Sequence, residues 1–173
     1  MNFSSHRLFF MFGGMSSLLF ASTMFADDWP QWRGPQRDGV WREDRIVTRF
    51  NSPQVPILWR AEIGAGYSGP TIADGRVYIT DRLDQPEQIE RTLCFDANTG
   101  KLIWKHQYPC VYTIGYKAGP RACVTVHEGR AYALGAMGHF FCYRADSGEL
   151  LFQHDLDKQY HIRMPIWGIA SAP

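Results

Sequence analysis

Several short runs in this chain carry residue types that do chemistry, and each can be held to a geometric test. Gly64-Ala65-Gly66-Tyr67-Ser68-Gly69 spells G-x-G-x-x-G. Such a loop cradles a pyrophosphate only where it follows a strand and opens a helix. Pro70 follows it, then a β-type run that breaks at Asp74-Gly75, so no helix starts here and nucleotide binding is not expected. Ser68 fails as a nucleophile elbow, because Pro70 stands where G-x-S-x-G needs its last glycine. Cys123-x3-His127 and His139-x2-Cys142 have the residue types of a zinc constellation. Structural zinc wants four converging ligands, and Cys142 has a repeat-based reason to be where it is, so no metal is expected. Cys110 and Cys123 stand outside that repeat. In an oxidising compartment they are the pair to bridge, with two free buried thiols as the other outcome.

The elements that would position these residues recur along the chain. Gly75-Arg76-Val77-Tyr78 returns as Gly129-Arg130-Ala131-Tyr132, 54 residues on. Leu93 to Trp104 returns as Phe141 to Phe152, 48 residues on, and Ala170-Ser171-Ala172-Pro173 opens a third copy. A period near 50 with four short apolar runs per copy reads as an all-β fold, a β-propeller of four-stranded antiparallel blades. Strand A of the first full blade is expected over about 68–73, B over 76–80, C over 92–96 and D over 102–106. The second blade repeats this over 122–126, 130–135, 139–144 and 150–154. Leu58 to Ile63 aligns with the D strands and reads as a lone strand D. Propellers carry typically about 4–8 blades, so the chain reads as an incomplete ring, the N-terminal piece of a longer protein.

Residues 1–26 read as a signal peptide. Arg7 supplies the positive region, and the apolar run Leu8 to Phe20 is shorter than the roughly 20 residues a bilayer span needs. Cleavage is expected after Ala26, which leaves no transmembrane segment in the mature chain. No cysteine precedes Cys94, so no lipid anchor is expected. The location implied is exported, periplasmic or extracellular. Residues 27–56 form a lead-in and 57–173 the blades. The mature chain holds seventeen basic and seventeen acidic residues, so nothing electrostatic favours a nucleic-acid partner.

The series Cys94, Asp96, Thr99, Gly100, Trp104 is similar to the A-x-D-x-x-T-G-x-x-x-W tryptophan-docking motif of PQQ-like (quinoprotein-type) propeller repeats. The second copy is degenerate, with Cys142, Arg144, Ser147, Gly148 and Phe152. The opening Asp28-Trp29-Pro30-Gln31-Trp32-Arg33-Gly34-Pro35 also resembles the start of secreted bacterial members. The resemblance implies that the tryptophan packs between neighbouring blades and that the Asp-Thr-Gly turn locks the C–D hairpin. Alcohol-oxidising members hold PQQ against a disulfide of adjacent cysteines, with calcium nearby. This sequence has no adjacent pair of cysteines and no run that looks like a calcium site.

Connection lengths point to where function would gather. The A–B and C–D turns are tight, whereas Asp81 to Arg91 and the two D–A connections are long. Tyr112, Tyr116, Arg121, Tyr160, Arg163 and Trp167 are expected to line that long-loop face, where loops on a rigid scaffold carry binding. The expectation is a non-catalytic exported scaffold engaging a protein or glycan on that face, at fold level resembling the propeller that serves outer-membrane assembly. The alternative is a PQQ-dependent quinoprotein oxidoreductase, in which PQQ and calcium would be the cofactors.

Overall fold

A computed structural model of the chain describes residues 27–44 and 47–173; the expected signal segment lies outside them. Two four-stranded antiparallel meanders make up the fold. The first holds β1 (Thr71–Ala73), β2 (Arg76–Leu83), β3 (Ile89–Asp96) and β4 (Leu102–Pro109). The second holds β5 (Thr125–His127), β6 (Arg130–Leu134), β7 (His139–Arg144) and β8 (Leu150–Asp155), followed by a single helical turn, α1 (Leu156–Tyr160). Both A–B hairpins turn on two residues of positive φ, Asp74-Gly75 and Glu128-Gly129. That geometry matches the twist of the flanking strands. The ladder slips by one residue between Cys94 and Phe95, and again at the repeat-equivalent Cys142 and Tyr143. The repeat seen in the sequence is therefore a repeat of backbone register as well.

Two expectations about connections need correction. Asp81 to Arg91 is not a long loop. β2 and β3 run on through most of it and pair from Arg76↔Asp96 to Leu83↔Ile89. Three of the charges that suggested a loop, Asp81, Arg82 and Glu90, are turned inward, while Asp84 and Glu87 stay exposed at the tip. Asp81 is fully buried and accepts from Arg91 Nε at 2.8 Å and Gly64 N at 2.5 Å. Glu90 is 1% exposed and takes the hydroxyls of Tyr108 (2.6 Å) and Tyr112 (2.7 Å). The hairpin is extended because each buried charge finds its partner on a neighbouring strand or loop. Nor do residues 58–63 form a lone strand D; no strand pairs with them among the described residues. Trp59 nevertheless does what a strand-D tryptophan does. Its indole donates to Ala97 O at 2.8 Å and its ring lies against Gly100.

That contact is repeated one blade on and holds the two sheets together. Trp104, 7% exposed, donates to Ala145 O at 2.9 Å, and its ring covers Gly148. Tyr78 donates to the same carbonyl at 3.1 Å. Tyr143 completes the seam, 5.4 Å from Trp104 between ring centres. Asp96 locks the first C–D turn by accepting from Asn98 N, Thr99 N and the Thr99 hydroxyl. In the degenerate second turn Arg144 cannot accept those bonds and pairs with Glu149 instead, at 2.9 Å. On the inner strands Thr71 donates its hydroxyl to Val124 O, and Thr125 donates to Pro173 O at 2.8 Å. Pro173 thus occupies the step expected of a third copy. Phe152 holds the strand position of Trp104, opposite Cys142, but is 41% exposed because no blade lies beyond it in the described chain.

Removing the Trp104 side chain empties the seam between the sheets. Trp104→Ala should lower the stability of the full chain by about 3–5 kcal/mol, read as a shift in denaturant midpoint. Gly148→Ala should cost about 1 kcal/mol or more, because φ is +73° there and a Cβ would strike the Trp104 ring.

His106, on β4, packs into the same seam against Phe141 (4.9 Å) and Tyr143 (5.1 Å). Burial lowers its imidazole pKa. The unfolded chain then binds a proton that the folded one resists, so stability falls as pH drops through and below about 6.5. His106→Phe should flatten that part of the melting-temperature profile between pH 7 and 5.

Candidate functional site

The lead-in segment and the D–A connection meet on one face of the two sheets. Trp29 exchanges both backbone hydrogen bonds with Ile72 of β1, at 2.8 and 3.1 Å, and Pro30 O accepts from Val126 N of β5 at 2.8 Å. The chain therefore crosses the inner strands of both blades before it turns. Trp29 stacks over Gly34, where φ is +79° and a side chain would collide with the ring. Arg33 and Arg37 flank that turn and both take left-handed backbone, φ 65° and 57°. Such strained positions recur at ligand clamps. Arg37 Nε donates to Gln31 Oε1 at 2.8 Å and Arg33 donates to Asp38 O at 3.0 Å.

Opposite them stands a stack of rings around one guanidinium. Arg121 lies 5.2 Å from the ring centre of Tyr67 and 4.9 Å from that of Tyr116. Its Nε donates to the Tyr116 hydroxyl at 3.0 Å, and another nitrogen donates to Gly119 O at 2.9 Å. Tyr67 meets Tyr116 edge-on at 5.6 Å, and Trp167 covers Tyr116 at 5.1 Å. The loop is fixed by backbone: Tyr67 N donates to Pro120 O at 2.8 Å, and Gly119 passes so close to Gly66 that no side chain fits between them.

A cleft of about 760 Å³ lies between these walls, closed along a third side by Ala170 to Ala172. Gln31, Trp32, Arg33, Arg37, Tyr67, Tyr116, Arg121, Cys123 and Thr125 line the rest, and no Asp or Glu does. The nearest acid on the lead-in is diverted. Asp38 binds Arg42, whose guanidinium holds the carboxyl down at about 2. The arrangement can hold negative charge and flat apolar groups together, by Coulomb attraction and by stacking.

A second groove, about 500 Å³, opens between β4 and β8. His106, His139, His154 and Lys158 line it. Asp155 answers them, with Lys158 at 2.9 Å and His139 at 4.0 Å, and its side chain also caps α1. Its charges are thus met internally. No group of three His, Cys, Asp or Glu able to hold a metal occurs among the described residues.

Of the residues expected on the long-loop face, Tyr116 and Arg121 line the cleft, and Trp167 packs against Tyr116 beside it. Tyr160 and Arg163 are exposed but do not line it. Tyr112 does not face solvent at all. It is 8% exposed, bonded to Glu90, with the Arg82 guanidinium 4.2 Å above its ring. Burial and the Glu90 charge drive its hydroxyl pKa up. The Cys110–Cys123 bridge is not made; all four cysteines are free and buried. The two thiols belong to different surroundings. Cys110 packs with Tyr112 and Ala136, where burial pushes its thiol to about 12, whereas Cys123 sits at the cleft against Gly69.

Sequence reasoning missed Tyr67, Trp32, Arg33 and Arg37. Tyr67 was inside the run tested for nucleotide binding. The other three lie in the opening segment, where two arginines and a tryptophan around Gly34-Pro35 were the available signal.

Residues 90–166 match a family model of the PQQ-like repeat described as outer membrane protein assembly factor BamB. No curated protein matches the chain. Among solved structures, a quinohemoprotein alcohol dehydrogenase from Comamonas testosteroni superposes on 84% of this chain and 21% of its own, with 17% identity and a TM-score of 0.57. A quinohemoprotein alcohol dehydrogenase from Pseudomonas putida HK5 covers 66% of this chain and 16% of its own, with 20% identity and a TM-score of 0.45. A europium-containing methanol dehydrogenase covers 51% and 15%, with 20% identity and a TM-score of 0.38. The chain spans at most 21% of the length of these structures. No helix among the described residues is long and apolar enough to cross a membrane. Residues 90–166 thus match a PQQ-like repeat, and most of the chain shares the β-propeller fold of a quinohemoprotein alcohol dehydrogenase.

Proposed function

We propose that this is an exported, non-catalytic propeller that binds a protein partner through the cleft between Arg37 and Arg121. The observation that carries the reading is the lining itself: three guanidinium groups and three large rings, with a fourth ring, Trp167, packed behind Tyr116 and no carboxylate among them. Arg, Tyr and Trp are the side chains that dominate binding hot spots. The description of the matching family model fits a protein-assembly role. Export rests on Arg7 and the apolar run that follows it.

The likeness in fold to a quinohemoprotein alcohol dehydrogenase supports the alternative, a PQQ-dependent oxidoreductase. The guanidinium groups would suit the carboxylates of that quinone. Calcium takes about six to eight oxygen ligands, carboxylates prominent among them, and the cleft lining supplies no carboxylate. These residues do not fit the quinone and its calcium together, so no chemical step is derived through them.

A photo-crosslinking residue at position 116 should give a defined protein adduct in cells, and one at Asn98 on the tight-turn face should not. Arg37→Ala, at an exposed position of the cleft, should reduce that adduct while changing stability by no more than about 0.5 kcal/mol, as is usual for surface side chains. Intact mass should show the exported chain starting at Asp27. Titrating the full chain with PQQ and calcium should give no saturation; saturable binding with alcohol oxidation would replace this reading with the alternative.

A further inference from the structure

The chemistry of the partner segment can be taken one step further, resting on the reading that the cleft binds a protein. Arg33, Arg37 and Arg121 all border it, and among the described residues none of them is in an ion pair. The two arginines of the β2–β3 hairpin behave differently. Arg82 reaches Asp84, and Arg91 grips Asp81. Even on the lead-in, Arg42 takes the Asp38 carboxylate, leaving only the Asp38 backbone oxygen for Arg33. The carboxylates of Asp38, Asp81 and Asp84 are thus taken by other arginines, and the three at the cleft keep no carboxylate partner among the described residues.

Each of the three is also held in place. Arg121 is clamped between Tyr67 and Tyr116, Arg37 is oriented by Gln31, and Arg33 is tied to Asp38 O. Cations fixed before binding lose little freedom when an anion arrives. Beside them, Trp32, Tyr67 and Trp167 are each more than half exposed. These rings cover more ground than a small anion would touch. The whole chain carries nearly balanced charge, which disfavours a polyphosphate strand as the occupant. We infer that the cleft recognises an acidic peptide segment, its carboxylates on Arg33, Arg37 and Arg121 and its flat side chains on the exposed rings.

The test uses the full chain and fluorescein-labelled, end-capped 12-residue peptides, read by anisotropy. The probes alternate Glu with Phe, Gln with Phe, or Lys with Phe, alongside an oligothymidine of similar length and free citrate as competitor. The Glu–Phe peptide should bind, and its Kd should weaken by about tenfold when salt is raised from low to roughly 0.5 M. Arg37→Ala and Arg121→Ala should each weaken it by about tenfold, a typical loss for one charged contact. Arg163→Ala, exposed away from the cleft, should leave the Kd unchanged. Melting curves identify any variant that has unfolded, and Arg37→Ala on the exposed lead-in serves if Arg121→Ala does so.

Equal binding of the Gln–Phe peptide, tighter binding of oligothymidine, or displacement by citrate at the peptide's own concentration would each overturn the inference. So would the absence of peptide binding in every arm. In all these cases an adduct from position 116 would still support a protein partner, whereas its loss would remove the reading on which the inference rests.

Discussion

The indole of Trp104 does three things at once. It fills the gap between two sheets, donates to Ala145 O, and covers the one place where Gly148 leaves no side chain in the way. An isolated four-stranded sheet cannot bury both faces, so the blade depends on its neighbour for its core. That dependence explains the pattern of buried residues: Tyr78, Cys94 and Trp104 on the first sheet face Ala131, Tyr143 and Ala145 on the second. Trp59 repeats the arrangement on Gly100 even though its backbone pairs with no strand. The docking of the ring is therefore separable from the strand that usually carries it.

At the other end of the blades, polar contacts replace aromatic ones. Asp81, Arg82 and Glu90 are buried, and they make the hairpin longer than its amino acids suggest. A buried carboxylate without partners would be costly; Glu90 has two tyrosine hydroxyls and the backbone N–H of Ala136. Gly135 has no side chain because the Tyr108 hydroxyl and the Glu90 carboxylate occupy that space. The inner end of the cleft loop is thus set on rigid ground.

Period and turn chemistry made the blade count, the strand order and the docking slot legible, since Asp-Gly, Thr-Gly and a tryptophan each have a local cause. The hairpin of β2 and β3 was not legible. A run such as Asp81 to Arg91 looks solvated until partners from Gly64, Tyr108 and Tyr112 are placed around it, and those partners are distant in sequence. Tyr112 was misread for the same reason, while Tyr116 and Arg121, five residues apart, could be read locally. The cleft's other wall was hidden because Arg33 and Arg37 reach it only through the pairing of Trp29 with Ile72, a contact no periodicity announces.

That pairing joins the cleft to the frame. The segment bearing Arg33 and Arg37 is anchored by its backbone to β1 through Trp29 and to β5 through Pro30. Whatever occupies the cleft and pulls on those two arginines therefore bears on the junction of both blades. By mass action a bound occupant favours the anchored state over any state in which the segment has peeled away. Occupancy and the integrity of the propeller's inner seam are linked quantities, and each reports on the other.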